Sequence, residues 1–366
     1  MYTAIVGGFL VSALGGSRYK IGGPAGAFIV LVAATVGKYG IDGLLLTVLM
    51  SGVLLALVGL TRLGSLIRHI PHAVTVGFTF GIAIIILASQ LKDLGGLTLK
   101  GAEPGLLLPK LATLAAALPT LNPAAFAIGI GSAALIFVQR RWRPTWPGML
   151  IAVIVGSAAA ALLHLPVETI GSRFGELPHG LPHPALPAIT WDRLLQLLPV
   201  ALSFTLLGGV ESLLSAKVAD GMTGRKHRSN MELVAQGVAN IGSAFFGGIP
   251  VTGTIARTAT NVRAGAKSPL SGMMHALFVL LFMVVAAPLA AYVPLSALAG
   301  VLVVVCWNMA EKKEFADLLK TWPSAVVLLA TFGLTILRDL TTGIIAGCVL
   351  AAVLALIHRK TPEEGV

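Results

Sequence analysis

Apolar runs bounded by glycine, proline and small charged clusters recur from one end of the chain to the other. In the first half they lie near 1–14, 25–39, 43–60, 73–91, 124–138 and 147–163. In the second they lie near 195–216, 231–246, 252–264, 270–293, 297–309, 324–337 and 342–357. Each is roughly 13 to 24 residues, which brackets the length of helix that crosses a bilayer's hydrocarbon. The pattern predicts an all-α polytopic membrane protein with thirteen spans. Two connections are longer. Residues 92–122 contain LLLPKLATLAAALPTL with Pro104, Pro109 and Pro119, and read as an interfacial helix on the outer face. Residues 164–192 carry five prolines without sustained periodicity and read as an outer loop.

Composition supports this picture: 56% of residues are hydrophobic and 11% charged, well below the charged share of soluble domains. The net charge of +11 is not gathered on one polar domain but falls in short clusters between apolar runs, which excludes a nucleic-acid partner. Clusters such as Arg140-Arg141, Arg225-Lys226 and Lys312-Lys313 fall on one side of the span pattern, and Lys20 is counted with them. By the positive-inside rule that side is cytoplasmic. The C-terminus is then inside, in the plasma (inner) membrane, and the odd number of spans puts the N-terminus outside. Cys306 and Cys348 sit within apolar runs as small hydrophobes, and no metal-ligand spacing occurs. The opening MYTAIVGGFLVSALGG lacks the features of a signal peptide. No HExxH, GxSxG or Walker pattern is present, so an enzyme or an ATP-driven pump is not expected.

Candidate chemistry begins with two interruptions, Ile21-Gly22-Gly23-Pro24-Ala25-Gly26-Ala27-Phe28 and Gly247-Gly248-Ile249-Pro250-Val251-Thr252-Gly253-Thr254. Each sets a glycine pair and a proline before an apolar run. Short extended stretches feeding half-helices would expose free amides and a positive dipole end to an anion. The competing reading is that glycine and proline are common in membrane helices and coincide here. Gly15-Gly16 and Gly208-Gly209 lack a following proline and read as helix-packing sites. Glu211 lies inside an apolar run with Ser215 one turn on, a spacing that could hold a proton or a sodium ion; a structural, protonated Glu is the alternative. Arg257 could offset an anion's charge or snorkel toward headgroups. His179 and His183, in PHGLPHP, cannot share a helix face, and Asp339 reads as a headgroup contact at a span end.

The segments GGSRYKIGGPAGAF, IPHAVTVGFTFGIAIII, GGVESLLSAKVADGMTGRKHRSNMELVAQGVANI and GGIPVTGTIARTATNVRAGAKSPLSG resemble the sulfate permease (SulP) family of anion transporters over nearly the whole chain. The resemblance implies a uracil permease-like fold of fourteen segments in two inverted repeats of seven. In that frame 1–163 is the first repeat without its first segment, 164–194 a connecting loop, 195–360 the second repeat, and 361–366 a tail without the family's STAS domain. It implies a core domain moving against a gate domain, and a homodimer. Gly23, Pro24, Ala25, Gly26, Ala27 and Phe28 match the third-segment part of the family's anion site, and Thr252, Gly253, Thr254 and Ile255 the tenth. Glu211 matches an acidic eighth-segment position that, with a hydroxyl at Ser215, looks like a coupling-ion ligand. Arg257 aligns with an arginine beside the anion, although Ala256 stands where animal relatives carry serine. The expected activity is secondary transport of bicarbonate, sulfate or a C4-dicarboxylate by elevator-type alternation, coupled to Na+ or H+ with no other cofactor. A truncated non-transporting scaffold or a channel-like conductance are the competing functions.

Overall fold

A computed structural model of the chain describes residues 1–64, 71–101, 103–144, 146–175, 180–338 and 340–359. His179, Asp339 and the tail 361–366, on which sequence expectations fell, lie outside the described residues. The described chain divides into two compact units, 1–70 with 178–286 and 71–177 with 287–366. Each unit draws one stretch from each half of the sequence, so neither coincides with a single half.

The first unit opens with a π-helical turn, Thr3–Gly7, leading into α1 (Gly8–Leu14). A loop then enters β1 (Gly22–Gly23), followed by a short 3-10 turn, Gly26–Phe28, and α2 (Ile29–Leu60). Two spans were expected where α2 runs. The helix is broken at Gly40, whose φ of 70° and ψ of −177° no L-residue adopts comfortably, so the run divides there as the sequence predicts.

The second unit begins with α3 (His72–Gly95), which ends on left-handed Gly96, and holds α4 (Leu107–Ala117) inside the segment expected to carry an interfacial helix. Asn122 opens α5 (Pro123–Trp142) by accepting from the amides of Ala124 and Ala125, and α6 (Gly148–Leu162) follows. The expected outer loop contains a short helix, α7 (Ile170–Phe174), fixed by a reciprocal capping box between Thr169 and Ser172. From it Arg173 reaches Asp93 at 2.6 Å. That hydrogen bond raises the guanidinium's pKa above its ordinary value.

In the first unit, Thr190 caps α8 (Trp191–Thr223), which runs well beyond the expected 195–216 and ends on left-handed Gly224. Next come α9 (Ser229–Phe245), β2 (Thr252–Gly253), α10 (Ile255–Arg263) and α11 (Leu270–Ala290), whose last turn passes into the second unit. The second unit closes with α12 (Leu295–Met309), α13 (Lys312–Leu318), α14 (Trp322–Leu337) and α15 (Leu340–Arg359).

Among the described residues, six helical stretches are long and apolar enough to cross a membrane: 31–60, 72–95, 123–142, 191–223, 270–290 and 295–318. The remaining apolar helices, such as Gly148–Leu162 and Trp322–Leu337, are shorter.

Small residues set the packing of the first unit. On α2, Gly52 and Gly59 lie so close to α9 that an added Cβ would come 2.8 Å from the Gly237 carbonyl oxygen and 2.6 Å from that of Asn230. Lipid offers no hydrophobic drive to bring helices together, so such close backbone approach and its dispersion contacts hold them. The result is a rigid frame of α2, α8 and α9 around the two interruptions.

Candidate functional site

The two interruptions meet. β1 and β2 pair antiparallel, Gly22 opposite Gly253 and Gly23 opposite Thr252. Residues far apart in sequence thus satisfy each other's backbone groups at a depth where water cannot. Space at the contact is tight: a Cβ on Gly22 would sit 2.8 Å from Cβ of Val11, and one on Gly23 would have to displace the Arg257 guanidinium. The amide of Thr254 donates to Ile21 O at 3.2 Å, and the amide of Ile21 donates to Thr258 Oγ1 at 3.2 Å, extending the junction past the strands.

The helices that leave this junction do not begin at the prolines. Ala25 and Thr254 are extended N-cap residues, so the expected run 252–264 starts as strand and turns helical only at Ile255. Pro250 lies before β2 and Pro24 just after β1, where each stops helix from invading the strands. The paired residues Gly22, Gly23, Thr252 and Gly253 are buried, as are Ala27 and Phe28. By contrast Pro24, Ala25, Gly26, Thr254, Ile255 and Arg257 are only half-buried. The mouth of each half-helix is therefore accessible while its support is not. Phe28 packs against Phe204 of α8 with ring centroids 5.5 Å apart, and Thr252 Oγ1 donates to Gly208 O at 3.3 Å.

Arg257 turns toward the other half of the junction. Its Nη2 donates to Pro24 O at 3.4 Å, and its Nη1 lies against Gly23. Among the described residues, Glu211 Oε2 is buried without a hydrogen-bond partner. Ser215 was expected to share a ligand set with Glu211. Its Oγ instead lies 2.9 Å from Thr258 Oγ1, tying α8 to α10. Gly208 packs near Phe28 and Leu55, in keeping with a helix-packing role. Gly15 ends α1 in extended conformation, and Gly16 packs against the start of α9: a Cβ there would come 2.2 Å from the Arg228 carbonyl oxygen, and its amide donates to Glu232 Oε2 at 2.7 Å.

Sequence reasoning missed the polar layer beneath the strands. Lys20, placed among the cytoplasmic loop charges, is 3% exposed, and its ammonium bonds Ser212 Oγ, Glu232 Oε1 and Gln236 Oε1. Glu232 Oε2 also accepts from the Ser17 amide at 3.0 Å. Gln236 and Asn240 donate to Val251 O, and the Val251 amide donates back to Asn240 Oδ1 at 3.0 Å. The signal was present: Glu232, Gln236 and Asn240 recur every fourth residue and so form one polar stripe along α9. A stripe of that kind inside an apolar run implies buried partners.

Known proteins resemble this chain in sequence and in fold. The sequence model of the Sulfate permease family matches residues 1–332. A Bacillus subtilis protein named "Putative sulfate transporter YvdB" is 43% identical over 96% of this chain and 67% of its own length. The "Bicarbonate transporter BicA" of Synechocystis is 30% identical over 97% of this chain and 64% of its own. The chain thus spans about two thirds of these relatives' length. The solved transmembrane domain of a cyanobacterial BicA superposes with a TM-score of 0.82 at 30% identity, covering 94% of this chain and 88% of that one. SLC26A9 superposes at 0.85 with 18% identity, over 99% of this chain and 61% of that one, a likeness of fold.

Proposed function

This chain belongs to the sulfate permease family, and on that premise we propose that it is a secondary transporter of a small oxyanion held at the paired interruptions. The family's known members here are transporters and not enzymes, and the fold is their inverted-repeat arrangement of seven plus seven segments in an integral membrane protein. Sulfate and bicarbonate are the substrates for which the relatives are named, and a C4-dicarboxylate presents the same carboxylate oxygens.

The observation that carries the reading is the antiparallel pairing of Gly22-Gly23 with Thr252-Gly253. It fixes two helix N-termini, 3-10 then α after Ala25 and α after Thr254, beside one guanidinium. Free amides at a helix start and an arginine both favour negative charge, and both act more strongly where water is sparse. Gly23 through Phe28 and Thr252 through Ile255, with Arg257, make the anion site. Glu211, whose inner oxygen lacks a partner, takes up the coupling ion, H+ or Na+. The first unit, carrying every one of these residues, travels in an elevator-type alternation, and the protein acts as a homodimer in the inner membrane with its C-terminus inside. The basic loop clusters support that orientation.

The test is uptake of labelled sulfate, bicarbonate and succinate into proteoliposomes under imposed proton and sodium gradients. The reading expects saturable accumulation of at least one of them. Absence of uptake for all three under both gradients contradicts it.

A further inference from the structure

Lys20 has no part in the reading above, yet it is among the most buried charges of the first unit. Two residues away Arg18 is exposed, so a route to water lies close by. The Lys20 chain goes inward instead. Its stem runs beneath β2, where a Cβ on Gly253 would collide with Cδ and Cε. Each of its three ammonium hydrogens finds one oxygen: the hydroxyl of Ser212, the carboxylate of Glu232 and the amide carbonyl of Gln236. A carboxylate, a carbonyl and a hydroxyl converging on one point form the hard-oxygen donor set that binds a bare metal cation.

Charge balance points the same way. Lys20 and Glu232 form an ion pair buried on both sides. Without Lys20 the Glu232 carboxylate is left as an unpaired buried charge, which a free cation would have to offset. Ser212 of the cage directly follows Glu211 in the chain.

We propose that Lys20 is a built-in counter-cation: its ammonium fills an oxygen cage from α8 and α9 that would otherwise hold a free monovalent cation, so this site works without Na+. The proposal rests on the transport reading only in taking the strand junction as the anion site. The cage itself is assessed by binding, independently of uptake.

The experiment follows thermal unfolding of the purified native protein, of Glu211→Gln and of Lys20→Gln in sodium, lithium, potassium and choline chloride. A cation bound to the folded state raises its melting temperature, so occupancy of the cage is read directly. With the cage filled by lysine, Glu211→Gln, which removes the other candidate cation site, melts at the same temperature in all four salts; a rise specific to sodium or lithium in that variant overturns the proposal. Lys20→Gln melts lower in choline and recovers by several degrees with sodium or lithium, saturably. Adding Glu232→Gln to Lys20→Gln removes the response. A folded Lys20→Gln that no cation stabilises overturns the proposal. If Lys20→Gln does not fold in any salt, Glu211→Gln, in which Lys20 and the cage are intact, decides: sodium- or lithium-specific stabilisation of it contradicts the cage being filled by lysine, and equal melting in all four salts supports it. Absence of anion uptake under every gradient would count against the transport reading alone and leave the melting result standing.

Discussion

An arginine on a membrane helix ordinarily snorkels toward water. Arg257 instead directs its guanidinium at Gly23 and the carbonyl of Pro24, across the strand junction from its own helix. Its two competing sequence readings were an anion's partner and a headgroup anchor, and the contact observed is with the Pro24 carbonyl. Arg257→Gln keeps a donor but removes the charge, and charge-assisted hydrogen bonds contribute about 1.5–3 kcal/mol. The expected result is a KM for anion uptake raised roughly 10- to 100-fold, with the maximal rate far less affected. An unchanged KM would remove Arg257 from the site. For Glu211, replacement by Gln keeps shape and polarity but cannot ionise. Uptake by Glu211→Gln is expected to follow the anion's own gradient and to lose its response to an imposed cation or proton gradient. An intact response would mean that coupling resides elsewhere.

At the scale of elements, much of the architecture was legible. Apolar runs marked the helices, and the two Gly-Pro interruptions marked where they break. Gly40 divides α2 where two runs were expected. That the two broken stretches meet followed from the family resemblance; what the residues alone could not show was that they pair as strands, because glycines carry no side chain by which pairing could be read. The helix starts were placed early for a related reason. Thr252 and Gly253 resemble helix-entry residues, yet the ladder to Gly22 and Gly23 takes their backbone groups first. Lys20 was misplaced because counting basic residues in loops assumes that loop charges face water, whereas this loop folds inward under β2. The close α2–α9 contact gives a separate prediction. Gly52→Val places a branched side chain against the Gly237 carbonyl, and overpacking of this kind costs about 1–3 kcal/mol. The purified variant should melt several degrees below the native protein with its helical circular dichroism retained. Equal melting temperatures would show that the two helices are not held at this distance.

At the scale of the whole molecule, the residues assigned to anion and coupling ion all fall in one compact unit assembled from both halves of the sequence. That grouping follows from the junction itself: β1 comes from the first half and β2 from the second, so neither half alone completes the site. The account therefore stands on binding by the joined helix starts. Isothermal titration of the purified protein with sulfate, bicarbonate and succinate, repeated on Gly23→Ala, tests it most directly. The added methyl displaces the guanidinium from the junction without altering any charge. The account predicts saturable binding of at least one anion by the native protein, weakened about 10-fold or more in Gly23→Ala, the equivalent of losing one good hydrogen bond. Equal affinity in the two proteins, or no saturable binding by the native one, would contradict it.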